Sequence, residues 1–432
     1  MALKTVGAAL LTAVLFTAAP AKGQTPDLER SPINYSKGPT ANPVSALGDR
    51  LAKRELKLAK HEEFGYLPAV LDALNISKSS QCLVFSKTSL QQRVISPRTP
   101  RAIYFNDDVY VGYCQNGEVL EVSAADVKLG TVFYTLYQEA AKPKFARQTD
   151  NCLQCHGSTA TRGYPGHLVR SLHVDRGGYP HFSAGSFRTD TTSPFEERWG
   201  GWYATGTHGA AKHLGNAFFT REDAEASGPP PDAGQNVTDL KKFLDTSKYL
   251  SPHSDIVALM VLEHQTDMHN RLCHAALDAR LAIEEQKQLN KELGEKPDHE
   301  WDSVKSRINH DADEIVEGLL FKGEPALTAP VKGVSGFTEE FSARHPRDKS
   351  GRSLREFDLK TRLFRYPCSY LIYSASFQAL PAPVRAAVLT KLHTLLTTPK
   401  LPAGYESLAA ADRSAIRSII RDTLSDLPPC WK

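Results

Sequence analysis

The sequence predicts an α+β protein in which a small antiparallel sheet precedes a mainly helical C-terminal half. Short β-branched and aromatic runs separated by turn residues occupy positions 81–137. Apolar residues at helical spacing dominate after position 236. Between these regions, Gly157 to Gly215 is rich in glycine and aromatic residues and has neither period. The sheet is therefore expected first, an irregular segment second and the helices last.

The N-terminal residues have the pattern of a secretory signal peptide. A positive segment from Met1 to Lys4 precedes an apolar run over 6–18 and the small-residue cleavage site Ala19-Pro20-Ala21. The apolar run is too short for a permanent membrane span, and no later stretch is longer. We therefore expect a cleaved signal peptide over 1–21 and a periplasmic or secreted mature chain without a permanent span. A retained N-terminal anchor is the alternative.

Length and composition are those of an ordinary globular protein. The 432 residues are 41% hydrophobic and 23% charged, which is enough to bury a core. A mature chain of this length suggests two or three domains. The net charge of +3 is too weak to indicate a nucleic-acid partner or an anionic membrane surface.

The first half contains a lead-in and then the sheet. Region 22–80 begins polar and rich in proline and glycine, and short helices are predicted at 45–60 and 66–74. Four or five strands are then predicted at 82–85, 102–105, 109–113, 119–122 and 132–136. Cys82 and Cys114 both lie in this sheet, and we expect them to form a disulfide.

The sheet leads to Cys152-Leu153-Gln154-Cys155-His156, a C-x-x-C-H motif. Two thiols three positions apart on one helical turn can each form a thioether with a vinyl group of one porphyrin. The adjacent histidine can then donate an imidazole nitrogen to the iron as proximal ligand. A thioredoxin-like dithiol does not need the histidine, and a structural zinc site would need a second pair of ligands. The sequence holds no second C-x-x-C. It therefore predicts one covalently bound haem c.

Together with the signal segment, Cys152, Cys155 and His156 resemble the bacterial exported c-type cytochromes. The resemblance rests on these short stretches and covers a small part of the chain. The segments 104–107 and 199–202 are similar to parts of large exported cytochromes. The resemblance implies export, because thioether attachment in bacteria takes place outside the cytoplasmic membrane.

The segment after the motif is expected to wrap the haem, so that 81–220 forms a sheet plus haem-binding region. Its glycines allow close approach to a flat macrocycle, and its aromatic residues can pack against the faces. Arg170, Arg188 and Arg198 are candidate partners of the haem propionates, although each could equally brace a loop.

Beyond the linker Gly228-Pro229-Pro230-Pro231, region 236–330 is predicted to be helical and to cap the haem. Helices are expected at 236–250 and 254–290. On the second, His264 and Met268 share an apolar stripe, with His269 adjacent. Region 331–432 is expected to combine a loop with further helices.

The sixth iron ligand is left open by the sequence. A small cytochrome c usually supplies a methionine some tens of residues after its motif, whereas here the only later methionines are Met260 and Met268. This spacing argues against the compact cytochrome c fold. The distal candidates are histidines and one methionine: His208, His213, His264, His269 and Met268. An empty sixth position is the other alternative.

Two main functions follow from these alternatives. The first is a monohaem electron-transfer protein cycling between Fe(III) and Fe(II), with an unspecified redox partner protein. The second is a peroxidase-like or oxidase-like haem enzyme with an open distal site. A sensor, or a docking module of a larger respiratory complex, is a third. The chain is about four times the length that a simple carrier needs, which favours the enzyme. The lack of a recognisable distal catalytic pair opposes it.

Overall fold

The structure is a computed structural model that describes residues 26–226 and 232–432. The predicted signal peptide at 1–21 and the predicted linker at 228–231 lie outside the described residues.

The first half of the chain forms a seven-stranded antiparallel sheet, and the prediction of an α+β fold is confirmed. The strands are β1 (Cys82–Val84), β2 (Arg101–Phe105), β3 (Val109–Tyr113), β4 (Val119–Asp126), β5 (Gly130–Tyr137), β6 (Ala146–Gln148), β7 (Arg170–Ser171), β8 (Phe187–Arg188) and β9 (Trp202–Tyr203). The large sheet has the order β6-β5-β4-β3-β2-β1-β9, and β7 pairs separately with β8.

The helices occupy mainly the second half. They are α1 (Pro43–Ala52), α2 (Leu67–Ala73), α3 (Leu153–His156), α4 (Arg221–Glu225), α5 (Ile256–Leu293), α6 (Asp302–Leu319), α7 (Phe337–Ser342), α8 (Ala375–Gln378), α9 (Ala382–Thr397) and α10 (Ala410–Thr423). No helix in the described part of the chain is long and apolar enough to cross a membrane.

Alternation along the strands gives the sheet two different faces. One face packs against α1 and α2 through residues that include Leu83, Tyr104, Val111, Val122 and Tyr134. Side chains at the intervening positions point to the opposite face, because successive residues of a strand alternate. This second face, which includes Ile103, Tyr110 and Phe133, looks towards the C-x-x-C-H segment.

Helix α5 is the central element of the molecule. It begins at Asp255, whose side chain accepts hydrogen bonds from the backbone N–H groups of Val257 and Ala258, and ends at Gly294 with φ +69°. Every residue from 256 to 269 is buried, so this end of α5 is covered on all sides. One apolar cluster joins sheet residues and α5 to Trp431, and α5 also contributes to the cluster under α1 and α2.

The prediction of a helix at 236–250 is wrong. This segment consists of turns and one 3₁₀ turn at Thr246–Lys248. The side chain of Asp239 accepts a hydrogen bond from the N–H of Lys241, and that of Asp245 accepts one from Ser247. Such local bonds compete with helical hydrogen bonding, and the apolar spacing does not reveal this competition.

The prediction of a disulfide between Cys82 and Cys114 is also wrong, because both residues are buried free thiols. Cys82 lies opposite Ile103, which in turn lies opposite Gly112, so β2 separates the two cysteine-bearing segments. Two strand spacings amount to roughly 9–10 Å. A disulfide requires Cα atoms about 4.4–6.8 Å apart.

Candidate functional site

The C-x-x-C-H segment forms one helical turn directly after the edge strand β6. The N–H of His156 donates to the carbonyl of Cys152 at 2.9 Å, and the N–H of Gly157 donates to that of Leu153 at 2.8 Å. Cys152 is half-buried and Cys155 is exposed. Burial raises the pKa of the Cys152 thiol to about 11.

The imidazole of His156 is fixed by a hydrogen bond from Nδ1 to the carbonyl oxygen of Gly166, 2.8 Å away. A carbonyl oxygen can only accept, so Nδ1 carries the proton and Nε2 has a free lone pair. Burial lowers the pKa of His156 and so favours the neutral ring. The hydrogen bond to the Gly166 carbonyl opposes this effect but is the weaker of the two. The ring also packs against Phe133, with centroids 4.8 Å apart.

Both cysteines and His156 line a cavity of about 380 Å³. That volume lies within the range of roughly 300–1,000 Å³ usual for small-molecule and cofactor sites. The second face of the sheet supplies much of its lining, and Gly112 leaves room in the middle of that face. Further lining residues come from the segment after the motif and from α5: His167, Leu168, Val169, Arg170, Trp202, Leu262 and Thr266.

The residues around the cavity fit a covalently attached haem. Two thiols and a neutral imidazole lie at one side, and Phe133, Tyr110 and Trp202 provide aromatic surface. Thiols for thioether bonds, an imidazole lone pair for iron and aromatic walls for the ring faces are the groups that such a cofactor needs.

Of the three arginines predicted as propionate partners, only Arg170 lines the cavity. Arg188 is exposed, donates to the carbonyl of Ala160 at 3.2 Å and lies 3.4 Å from the Asp190 carboxylate. Arg198 is buried and paired with Glu263 at 3.0 Å.

The distal candidates from the irregular segment lie together but outside the cavity lining. The rings of His208 and His213 are 4.6 Å apart. His208 donates from Nδ1 to the carbonyl of Ala211 at 2.9 Å, and its Nε2 accepts from the N–H of Asn236. His213 accepts from the N–H of Gly215 at Nδ1, 3.0 Å away.

The distal candidates on α5 also face other parts of the core. The Nε2 atom of His264 lies 2.7 Å from Ser369 Oγ. The Met268 sulfur is so close to Gly318 of α6 that a Cβ there would lie 2.5 Å from it. The Nδ1 atom of His269 lies 3.0 Å from the hydroxyl of Tyr110, which places His269 behind a cavity-lining residue.

Sequence reasoning missed His167 and an ion pair in the cavity lining. His167 is buried, and its Nε2 lies 3.0 Å from Ser123 Oγ. Arg101 and Glu121 form an ion pair at 2.7 Å, and Ser89 and Gln91 also donate to that carboxylate. The alternation of the strands could have grouped Arg101 with Glu121 on one face. It could not indicate that this face adjoins the motif.

No protein-family model, curated protein or solved structure matches this chain. Within residues 26–226 and 232–432, no group of three or more His, Cys, Asp or Glu side chains is arranged to hold a metal ion by itself.

Proposed function

We propose that this chain is an exported monohaem c-type cytochrome that binds one haem covalently and transfers electrons. Cys152 and Cys155 would form the thioethers, and His156 would be the proximal ligand. The observation that supports this most strongly is the His156 imidazole, which donates from Nδ1 to Gly166, keeps a free lone pair on Nε2 and shares the cavity lining with both thiols. A periplasmic or secreted location follows from the proposal, since attachment requires export.

Bound haem would supply a one-electron Fe(III)/Fe(II) couple whose potential depends on axial ligation, burial and nearby charge. The chain's own residues prepare this chemistry. Gly166 orients the imidazole, while Phe133, Tyr110 and Trp202 exclude water from the cavity surfaces that they cover. Arg170 brings positive charge to the lining, which suits the carboxylates of a haem, whereas Glu121 balances the charge of Arg101.

A haem enzyme with an open distal site is the second candidate, and the positions of the predicted distal ligands favour it. All five lie outside the cavity lining; four of them contact other parts of the core, and His269 contacts the lining residue Tyr110 from behind. The remaining histidine in the lining, His167, directly follows Gly166, whose carbonyl lies on the Nδ1 side of His156. The Nε2 atom of His167 lies 3.0 Å from the hydroxyl oxygen of Ser123, so that nitrogen already has a hydrogen-bond partner.

The covalent attachment is tested by replacing one thiol at a time. In a host with a haem-ligation pathway, the Cys155→Ala variant should lose most of its covalent haem, because one of two thioethers cannot form. Cys430→Ala is the matched control, since Cys430 is also an exposed free thiol but lies outside the cavity lining. Mass spectrometry of the intact chain and a pyridine haemochrome spectrum after acid-acetone extraction measure the attached haem.

The wild-type chain and Cys430→Ala should both carry the mass of one haem and show a c-type haemochrome. A wild-type mass equal to that of the bare polypeptide under these conditions would disprove the proposed function. Equal loss of haem in both variants would also contradict it, because the effect would then reflect misfolding.

A further inference from the structure

We propose that Asn270, on α5, is a positioning residue that sets the strength of the proximal His156–iron bond. This inference rests on the proposed haem function. Asn270 makes no hydrogen bond to His156 itself, and it acts through the peptide group that His156 contacts.

Asn270 holds the backbone of His167 with both ends of its amide. Its Oδ1 accepts from the N–H of His167 at 2.7 Å, and its Nδ2 donates to the carbonyl of His167 at 2.8 Å. Because Asn270 lies near the well-packed end of α5, these two bonds fix the 166–167 segment to the most buried helix of the molecule.

The N–H of His167 and the carbonyl of Gly166 belong to the same planar peptide group. A continuous chain of hydrogen bonds therefore runs from Asn270 Oδ1 through this peptide to the Nδ1 proton of His156. An acceptor on the N–H polarises the peptide and makes its carbonyl a stronger acceptor, since hydrogen bonds in series reinforce one another. Asn270 thus fixes both the direction and the strength of the bond that orients His156.

Gly166 is the residue that makes this approach possible. A Cβ atom at position 166 would lie 2.5 Å from Oδ1 of Asn270, well inside van der Waals contact. The absence of a side chain at Gly166 therefore lets Asn270 reach the peptide from one side, while His156 reaches it from the other.

The expected consequence is electronic as well as structural. A strong acceptor for Nδ1–H raises the basicity of a metal-bound imidazole and fixes its orientation. A more basic imidazole favours ferric over ferrous iron, so weakening the chain should raise the midpoint potential. Second-shell changes of this kind typically alter metal affinity or activity 10–100-fold.

The test compares Asn270→Ala with Asn290→Ala in the haem-loaded full chain. Asn290 is a matched control because it lies on the same helix and also braces backbone, donating to the carbonyl of His299 at 2.9 Å. The two asparagines are 20 positions apart, about 30 Å along α5. Redox titration followed by visible absorption gives the midpoint potential, and a haemochrome confirms covalent attachment in each variant.

For Asn270→Ala we expect retained covalent haem and a shift of the Fe(III)/Fe(II) equilibrium towards ferrous iron of about tenfold, equivalent to about 59 mV. Asn290→Ala should keep the wild-type potential. An unchanged potential in Asn270→Ala, or an equal shift in both variants, would overturn the assignment. Absence of covalent haem from the wild-type chain would instead refute the proposed function.

Gly166→Ala provides a second route if Asn270→Ala folds poorly. Its methyl group should push Oδ1 of Asn270 away from the N–H of His167 and so raise the midpoint potential, as Asn270→Ala should. In the double variant the two shifts should not add, because both break one chain of hydrogen bonds. Full additivity would show that the two residues act independently and would overturn the proposal.

Discussion

His264 is a fully buried histidine whose protonation state affects stability. Its ring stacks on Phe321, with centroids 4.2 Å apart, and its Nε2 contacts Ser369. Burial lowers the pKa of His264 to about 3. The unfolded chain takes up this proton near pH 6.5 and the folded chain does not. His264 therefore contributes stability that is fully present above about pH 6.5 and is lost as the pH falls towards 3.

His264→Gln removes this titration while keeping a polar side chain opposite Ser369. Below about pH 6.5 the wild type should lose stability relative to the variant by up to about 1.4 kcal/mol per pH unit. Urea unfolding at about pH 8, 6 and 5 measures the difference. Near pH 8 the difference between the two free energies of unfolding should not vary with pH, because His264 is then neutral in both the folded and the unfolded chain. A difference that does not vary with pH over the whole range would refute this origin of the acid sensitivity.

The junction of α5 with the irregular segment depends on the ion pair between Glu263 and Arg198. Both side chains are almost fully buried, and Arg198 also donates to the carbonyls of Ser193 and Thr191. Burial raises the pKa of Glu263 to about 7 despite the neighbouring guanidinium. At about pH 8 the pair is therefore charged on both sides, and removing one partner leaves a buried charge uncompensated.

Arg198→Met should accordingly lower the free energy of unfolding by about 3 kcal/mol at about pH 8, because the Glu263 carboxylate is then buried without a counter-charge. The matched control is Arg221→Met, which breaks the exposed pair with Glu225 on α4 and should leave stability almost unchanged. Denaturant unfolding of the two variants side by side measures both effects. Equal losses would show that burial of the Glu263–Arg198 pair has no special energetic role.

At the level of elements, local sequence patterns predicted those strands and helices whose formation depends on local interactions. The strands from β2 to β5 follow alternating apolar runs and turn residues, and the first part of α5 follows a strong helical period. Strand β9 has only two residues, and it is a strand because it pairs with β1, far away in sequence. The segment at 236–250 has a helical apolar spacing, but its aspartates favour turns.

The same limit applies to the candidate site. Cys152, Cys155 and His156 could be predicted because their chemistry depends on adjacency in sequence. Arg101 and Asn270 could not, because their relation to the motif is created by packing of the sheet and α5 around it.

In the whole molecule, α5 connects the two apolar cores and borders the cavity. Leu262 and Thr266 contribute to the cavity lining, while Glu263 and His264 bind parts of the chain on other sides. Helical periodicity explains this division, because successive residues of α5 point about 100° apart. The helix predicted to cap the haem thus directs two of its three predicted ligands, His264 and Met268, into packing with neighbouring core elements.

This arrangement leads to a prediction for the iron itself. Because the five predicted distal ligands lie outside the cavity lining and make other contacts, carbon monoxide added to the reduced, haem-loaded protein should bind fast and completely. The visible spectrum before and after addition measures binding, and flash photolysis measures its rate. His264→Gln should bind carbon monoxide as the wild type does. If the wild type did not bind but this variant did, His264 would be the sixth ligand, which would require α5 to move on haem attachment and would exclude the open distal site of the haem-enzyme alternative.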